Sequence, residues 1–238
     1  MLACGRGRSG ISGVHVLSGE SAAFVCRVVC LLACAGQVGN AQVMLEEGRT
    51  SLMHADGSYE SFCAWEYGGN AAPDWGAFAE RYEGAARVDA VIVDLTDFGF
   101  SDMQSIDAYV WADDGAVPGE VLRVLPGIET YTSGLWPHFG RNVFELPEPV
   151  CVGTRWWVGY WGDYGSMAPF FVGADLDGPG GGSSATKIAP GQGYPTGWQD
   201  VSVRWGPTAA LGIGAEVDSC PPTPVENGTW GAIKALYR

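Results

Sequence analysis

Aromatic side chains are concentrated in one stretch of the sequence, where Trp156, Trp157, Tyr160 and Trp161 lie within six residues. Along a β-strand Trp156 and Tyr160 share one face and Trp157 and Trp161 share the other, so at least one set belongs to a core. The other set can form a flat platform for the apolar face of a sugar ring. The alternative is that all these rings fill a core that is poor in leucine.

The predicted ligand-binding residues extend this platform with residues from two loops. They are Trp161, Asp163, Tyr164, Tyr194 and Trp198. Asp163 supplies the polar group that a sugar hydroxyl needs. Tyr194 and Trp198 belong to a stretch rich in Gly and Pro, residues 189–198, which predicts a rim loop.

Four carboxylates are candidate metal ligands. Asp113 and Asp114 lie in a predicted turn, and Asp175 and Asp177 lie beside the Gly-rich stretch 178–182. They offer the hard oxygen ligands that calcium prefers, although their spacing does not match an EF-hand loop. Because Asp in turns commonly bonds to its own backbone, turn stabilisation is the alternative to a structural Ca²⁺.

Residues suited to catalysis are few. Beyond residue 41 the histidines are His54 and His138, and neither lies in a nucleophile-elbow or thiol-protease motif. Acidic residues are numerous, so that some pair of carboxylates would have the separation that glycoside hydrolases use by chance alone. Such a pair would therefore not be evidence for catalysis. We predict no catalytic residues.

Strand-like segments separated by turn-forming residues must position these groups. Residues 88–95 form a nearly continuous apolar run, which predicts a central strand covered on both faces. In residues 105–112 one face carries Ile106, Ala108, Val110 and Ala112, and the opposite face carries Asp107, Tyr109 and Trp111. Further strands are predicted at residues 120–125, 142–146, 155–161, 170–175 and 200–205.

The clearest alternation is in residues 209–217, which predict a central strand. One face of this segment carries Gly212 and Gly214. The lack of side chains there allows another backbone or a large aromatic ring to lie close against the strand.

The pattern as a whole predicts an all-β fold in which two antiparallel sheets pack as a jelly-roll β-sandwich. No strand alternates with a helix-length pattern, which disfavours a parallel fold. An immunoglobulin-like sandwich is the closest alternative. Only the tail, residues 229–238, has an apolar stripe typical of a short helix.

The first 41 residues have the features of a signal peptide. Arg27 precedes the apolar run 28–36, and Gly39 and Ala41 occupy the −3 and −1 positions of a cleavage site. A lipoprotein site at Cys34 is the alternative. The run is too short to span a membrane. We therefore predict an extracellular or outer-surface location, with the periplasm as the alternative.

The predicted organisation beyond the signal peptide has four parts. They are a connecting segment at 42–55, a β-sandwich domain at 56–218, a Pro-rich linker at 219–228 and a helical tail at 229–238.

The net charge limits the partners that we expect, and the cysteine count limits the disulfides. The net charge of −14 repels phosphate backbones, so nucleic acid is not an expected partner. After signal cleavage Cys63, Cys151 and Cys220 remain, which predicts one disulfide and one free thiol. Cys63 and Cys151 both lie in strand-like stretches, and we predict that they pair. The oligomeric state stays open.

Residues 107–122, DAYVWADDGAVPGEVL, resemble exported bacterial jelly-roll modules in which an Asp-Asp-Gly turn ends one strand and Pro-Gly opens the next. Residues 56–218 are similar to uncharacterised secreted proteins of environmental Gram-negative bacteria. The resemblance implies a fold and an exported location, and no activity. The tail TWGAIKALYR, residues 229–238, is similar to short C-terminal segments of such proteins, which implies sorting or surface attachment. A helix packed on its own sandwich is the alternative.

These observations favour a non-catalytic surface module that binds an extracellular glycan or another envelope polymer. A structural or adhesive envelope protein without a small ligand is the alternative. A glycan-active enzyme is a third and less favoured hypothesis.

Overall fold

The structure is a computed structural model that describes residues 48–65, 74–99, 105–131, 135–162 and 170–221. The described residues belong to one compact unit. They form thirteen strands and one short helix: β1 Thr50–Met53, β2 Ser61–Cys63, β3 Phe78–Glu83, β4 Ala86–Thr96, β5 Ser105–Asp113, β6 Pro118–Glu129, β7 Gly140–Val152, β8 Arg155–Gly162, β9 Phe171–Asp175, β10 Ser184–Ile188, β11 Gly197–Asp200, α1 Ser202–Trp205, β12 Ala210–Leu211 and β13 Ile213–Asp218.

The strands form two antiparallel sheets, as the sequence predicts. Sheet 1 has the order β1-β13-β4-β9-β12, with β2 paired to β9 and β7 paired to β4. Sheet 2 has the order β11-β10-β3-β8-β5-β6. Three neighbouring pairs of sheet 2, β10-β3, β3-β8 and β8-β5, join distant parts of the chain, so residues that are far apart in sequence meet on its faces.

The core lies between the two sheets and follows the alternation of the strands. Sheet 1 contributes Val91 and Val93 of β4, and sheet 2 contributes Val110 of β5 with Trp156 and Tyr160 of β8. All five side chains are buried. Burial of each apolar side chain contributes roughly 1.5–3 kcal/mol. Of the apolar face predicted for residues 105–112, Ile106, Ala108 and Val110 are buried in this core and Ala112 is partly exposed. The predicted central strand at 88–95 is confirmed, because β4 pairs with β13 on one side and β7 on the other.

The outer face of sheet 1 is covered at its glycines, as the sequence predicts for Gly212. A Cβ atom at Gly212 would lie 2.9 Å from Tyr59 Oη, and one at Gly173 would lie 2.6 Å from Tyr59 Cδ1. The Tyr59 ring therefore rests on two glycines, and its hydroxyl donates a hydrogen bond of 2.5 Å to Asp94 Oδ2. Asp94 also binds Arg141 at 2.8 Å.

The prediction of a strand at residues 200–205 is wrong. Strand β11 ends at Asp200, and residues 202–205 form the helical turn α1. The physical reason is local, because Asp200 Oδ1 accepts a hydrogen bond from the Ser202 backbone N–H at 2.8 Å and turns the chain out of the extended conformation.

The predicted pairing of Cys63 with Cys151 is also wrong. Cys151 forms a disulfide with Cys220, and Cys63 is a buried cysteine on β2 that does not take part in a disulfide. Strands β7 and β13 flank β4, so that both Cys151 and Asp218 lie opposite Arg87. Cys220 follows β13 and reaches Cys151, whereas the partner strand of Cys63 is β9.

Several predicted segments lie outside the described residues. These are the signal peptide at 1–41, Asp163 and Tyr164, the linker beyond residue 221, and the tail at 229–238. Among the residues that the structure describes, no helix is long and apolar enough to cross a membrane.

Candidate functional site

The outer face of sheet 2 carries a group of aromatic rings that is separate from the main core. Because side chains alternate along a strand, residues 157 and 161 of β8 point away from the core, as do residues 109 and 111 of β5. We call this group the aromatic face and define it by six residues: Trp75, Tyr109, Trp111, Trp157, Trp161 and Trp198. Trp111 and Trp157 pack with Ala79 and Ala185 in a buried cluster of their own.

Rings from opposite ends of the aromatic face meet above the sheet. Four strand spacings separate β11 from β5, which corresponds to about 19 Å between the two strands. The ring centroids of Trp198 on β11 and Trp111 on β5 are nevertheless only 5.4 Å apart. The two long indole side chains therefore lean toward each other across the intervening strands. The small side chains of Ala79 and Ala185 leave room for them above the intervening strands.

The rings differ in exposure. Trp111 and Trp157 are each 1% exposed and form the floor. Tyr109 stacks on Trp111 with ring centroids 4.9 Å apart and planes 6° from parallel. Tyr109, Trp75, Trp161 and Trp198 are partly exposed. These half-buried rings are the ones that a ligand can contact.

Polar groups are fixed among the rings. Lys187 Nζ lies 2.6 Å from Asp74 Oδ1, 5.3 Å from the centroid of the Trp75 ring and 5.8 Å from that of Trp198. The Trp161 indole N–H donates to the Trp75 carbonyl at 2.9 Å, which holds these two residues together. Such a mixture of ring faces and positioned charges suits a ligand with apolar faces and hydroxyl groups.

The phenol of Tyr109 stays neutral across the physiological range. Burial raises the pKa of Tyr109 to about 12, and the negative charges of Asp107 and Asp74 add to the rise. A neutral phenol is both a donor and an acceptor of hydrogen bonds. Tyr109 can therefore contribute a hydroxyl contact as well as a ring.

Of the predicted ligand-binding residues, the structure brings Trp161 and Trp198 together on the aromatic face. Tyr194 is placed elsewhere: its ring packs against the main core and lies 5.6 Å below the guanidinium carbon of Arg204. Asp163 and Tyr164 are outside the described residues. Sequence reasoning missed Tyr109 and Trp75 as site residues. The alternation of β5 already placed Tyr109 on the outer side, whereas Trp75 precedes β3 and has no periodic signal.

The predicted metal ligands separate into two places. Asp175 and Asp177 lie with Glu60, and carboxylate oxygens of the three are within 4.8 Å of one another, so the group could hold a cation. Asp175 Oδ1 accepts hydrogen bonds from the backbone N–H groups of Asp177 and Gly178. This is the turn-stabilising role that the sequence left open, and a structural Ca²⁺ stays a prediction.

The other pair of predicted metal ligands does not form such a group. Asp113 accepts a hydrogen bond of 2.9 Å from the Trp157 indole and lies 3.5 Å from Arg155 Nε. Asp114 is exposed in the turn that follows β5. Asp113 therefore stabilises the floor of the aromatic face.

A cavity of about 310 Å³ adjoins β3. It is lined by Leu52, Met53, His54, Arg81, Tyr82, Glu83 and Gly181. His54 stacks on Tyr82 with ring centroids 4.5 Å apart and its Nε2 lies 3.0 Å from the Arg81 carbonyl. His54 is thus held by its neighbours.

One acidic residue is buried between the sheets. Glu80 of β3 is 0% exposed, and burial raises its pKa to about 8. Its Oε2 accepts hydrogen bonds from the Ser184 hydroxyl and the Leu211 backbone N–H. Its Oε1 has no hydrogen-bond partner among the described residues.

No family model, curated protein or solved structure matches the chain. The resemblance to secreted bacterial jelly-roll proteins stays a prediction.

Proposed function

We propose that this chain is an exported, non-catalytic β-sandwich module that binds an extracellular glycan on the aromatic face, the outer face of sheet 2. The observation that carries the proposal is the set of partly exposed rings of Tyr109, Trp75, Trp161 and Trp198 above a buried aromatic floor. A sugar ring has apolar C–H faces and a hydroxyl rim. Stacking on an indole buries the faces while nearby polar side chains bond to the rim.

The width of the aromatic face supports a polymer as the ligand. Its partly exposed rings include Tyr109 on β5, Trp161 on β8 and Trp198 on β11, which together span four strand spacings of sheet 2. An extended chain of sugars can contact several of these rings at once. An exported location, which the features of residues 1–41 predict, would place the protein among such polymers.

The structural or adhesive alternative would use strand edges instead. Among the described residues β6 pairs only with β5, and Val121 and Val124 on it are 44% and 41% exposed. The β5–β6 register shifts at three places, however, and irregular edges of this kind discourage pairing between chains. The aromatic face is therefore the better supported site.

The test is a glycan array with the purified protein, followed by titration of each positive glycan. Replacing Trp198 with Ala removes a partly exposed ring, and we expect affinity to fall at least about tenfold, because lost stacking and burial together cost about 1.4 kcal/mol or more. Tyr194→Ala is the matched control, since Tyr194 is an aromatic residue that does not belong to the aromatic face.

Near-ultraviolet circular dichroism would establish that both variants keep the wild-type fold. The proposal fails if no glycan binds, or if Trp198→Ala and Tyr194→Ala have the same affinity as the wild type.

A further inference from the structure

The basic side chains of this acidic protein are almost all neutralised by carboxylates. Within the described residues, those that lie within 4.0 Å of a carboxylate are Arg49, Arg87, Arg123, Arg141, Arg155 and Lys187. Arg81 and Arg204 are the other two basic residues in this part of the chain, and neither has an ion pair there. Both lie over aromatic rings instead.

Arg81 is the one of these two that borders the aromatic face. Its guanidinium carbon lies 5.9 Å from the centroid of the Trp157 ring, which is part of the aromatic floor. Its backbone is fixed on both sides, since its N–H donates to the Ser183 carbonyl at 3.1 Å and its carbonyl lies 3.0 Å from His54 Nε2. A guanidinium held over an indole keeps its planar fork of N–H donors available at the edge.

Arg81 also lines the cavity of about 310 Å³ beside β3. This volume is at the lower end of the range for small-ligand pockets, and it suits one substituted sugar unit. The Arg81 carbonyl lies beside His54 in this lining, whereas the Arg81 side chain lies over Trp157 on the aromatic face, where its guanidinium can reach one unit of a bound ligand. Glu83 is the carboxylate in the lining, and its side chain is exposed to solvent.

We infer that the polymer recognised by the aromatic face carries carboxylate groups, and that Arg81 binds one of them over the aromatic floor while neighbouring sugar rings stack on the exposed rings. This inference rests on the proposed function. The chemistry follows from the guanidinium fork, whose two parallel N–H donors match the two oxygens of a carboxylate. Because the net charge of −14 opposes a densely charged polyanion, the inferred polymer carries its carboxylates on only some of its sugar units.

The experiment compares uronic acid polymers with their carboxyl-reduced forms, which keep the sugar backbone and replace each carboxylate by an alcohol. Hyaluronate, in which carboxylated and uncharged units alternate, serves as the probe and is titrated into the protein at one fixed ionic strength. We expect it to bind and its carboxyl-reduced form to bind about tenfold more weakly or worse, the loss expected for a charge-assisted hydrogen-bonded pair.

Two arginine variants identify the residue responsible. The affinity of Arg81→Gln for the carboxylated polymer should be lower than that of the wild type by the same factor. Its affinity for the reduced polymer should equal that of the wild type. Arg204→Gln, which removes the other unpaired guanidinium, should leave both affinities unchanged. Equal affinity of the wild type for both forms of the polymer would overturn the inference, as would equal effects of the two substitutions.

The outcomes also separate this inference from the proposed function. If the protein binds only neutral glycans and Trp198→Ala abolishes that binding, the proposed function stands and the carboxylate inference is refuted. If neither neutral nor uronic acid polymers bind, both are refuted.

Discussion

Replacing Glu80 with Gln should change how the stability of this protein depends on pH. Glu80 lies between the sheets, and a Cβ atom built at Gly182 would meet its Oε1. An ionised carboxylate with one oxygen unpartnered is costly there, because the low-dielectric interior disfavours the charged form. This cost is the reason that burial raises the pKa of Glu80 to about 8 from its usual value of 4.5.

The sign and size of the effect follow from proton binding. Between pH 4.5 and pH 8 the folded protein keeps a proton on Glu80 that the unfolded chain has released, so raising the pH favours unfolding. The free energy of unfolding falls by about 1.4 kcal/mol per pH unit in this window. The stability that proton binding at Glu80 gives the folded protein is fully present below pH 4.5 and is lost as the pH rises to 8. From pH 4 to pH 7 the loss is about 3 kcal/mol.

Glutamine is the suitable replacement because it has the shape of the protonated acid and does not titrate. Its amide oxygen can still accept the hydrogen bonds from Ser184 and Leu211. Urea unfolding of both proteins at pH 4, 5, 6, 7 and 8 gives their stability difference, in which the titration of all other groups cancels. We expect the free energy of unfolding of Glu80→Gln, relative to that of the wild type, to rise by about 3 kcal/mol between pH 4 and pH 7.

A stability difference that stays constant with pH would refute this reasoning. It would mean that Glu80 has an ordinary pKa in the folded protein and that the buried Oε1 is solvated or paired.

Two further predictions concern the packing and the cysteines. Gly212→Ala should destabilise the fold by about 1–3 kcal/mol, because its Cβ would lie 2.9 Å from Tyr59 Oη and 3.1 Å from Asp94 Cβ. Gly153→Ala, with nothing within 4 Å of the added atom, is the control, and equal urea midpoints for the two variants would contradict the packing account. Peptide mapping should find Cys151 linked to Cys220, and Cys63 should react with iodoacetamide only after unfolding, since it is 0% exposed. Reduction should lower stability by about 2–4 kcal/mol, and rapid labelling of Cys63 in the native protein would count against its burial.

The strands were predictable where one face of a segment is apolar. Residues 105–112 alternate because β5 has one side in the main core, and residues 88–95 are continuously apolar because both faces of β4 are covered. The prediction of a strand at residues 200–205 was wrong because the apolar residues Val201, Val203 and Trp205 also occur at every second position. A single side-chain bond, from Asp200 to the Ser202 backbone, decides against the strand. Local periodicity does not reveal such a competition.

The disulfide and the site depend on strand order, which no local pattern contains. Cys220 meets Cys151 because β13 and β7 flank the same strand, although 69 residues separate the two cysteines. Trp161 and Trp198 were predicted as binding residues from their type alone. Their shared face results from the order β11-β10-β3-β8, which places the edge strand β11 in the same sheet as β8, three strand spacings away.

The adjacent residues Trp156 and Trp157 show why aromatic content alone could not separate a core from a binding surface. Both are buried, yet Trp156 belongs to the main core between the sheets and Trp157 to the cluster on the outer face. The outer cluster is buried because its own side chains cover one another. Trp198 and Tyr109 pack on Trp111, and the Arg81 guanidinium lies over Trp157. The stability of the outer cluster and the exposed rings of the proposed site therefore depend on the same side chains.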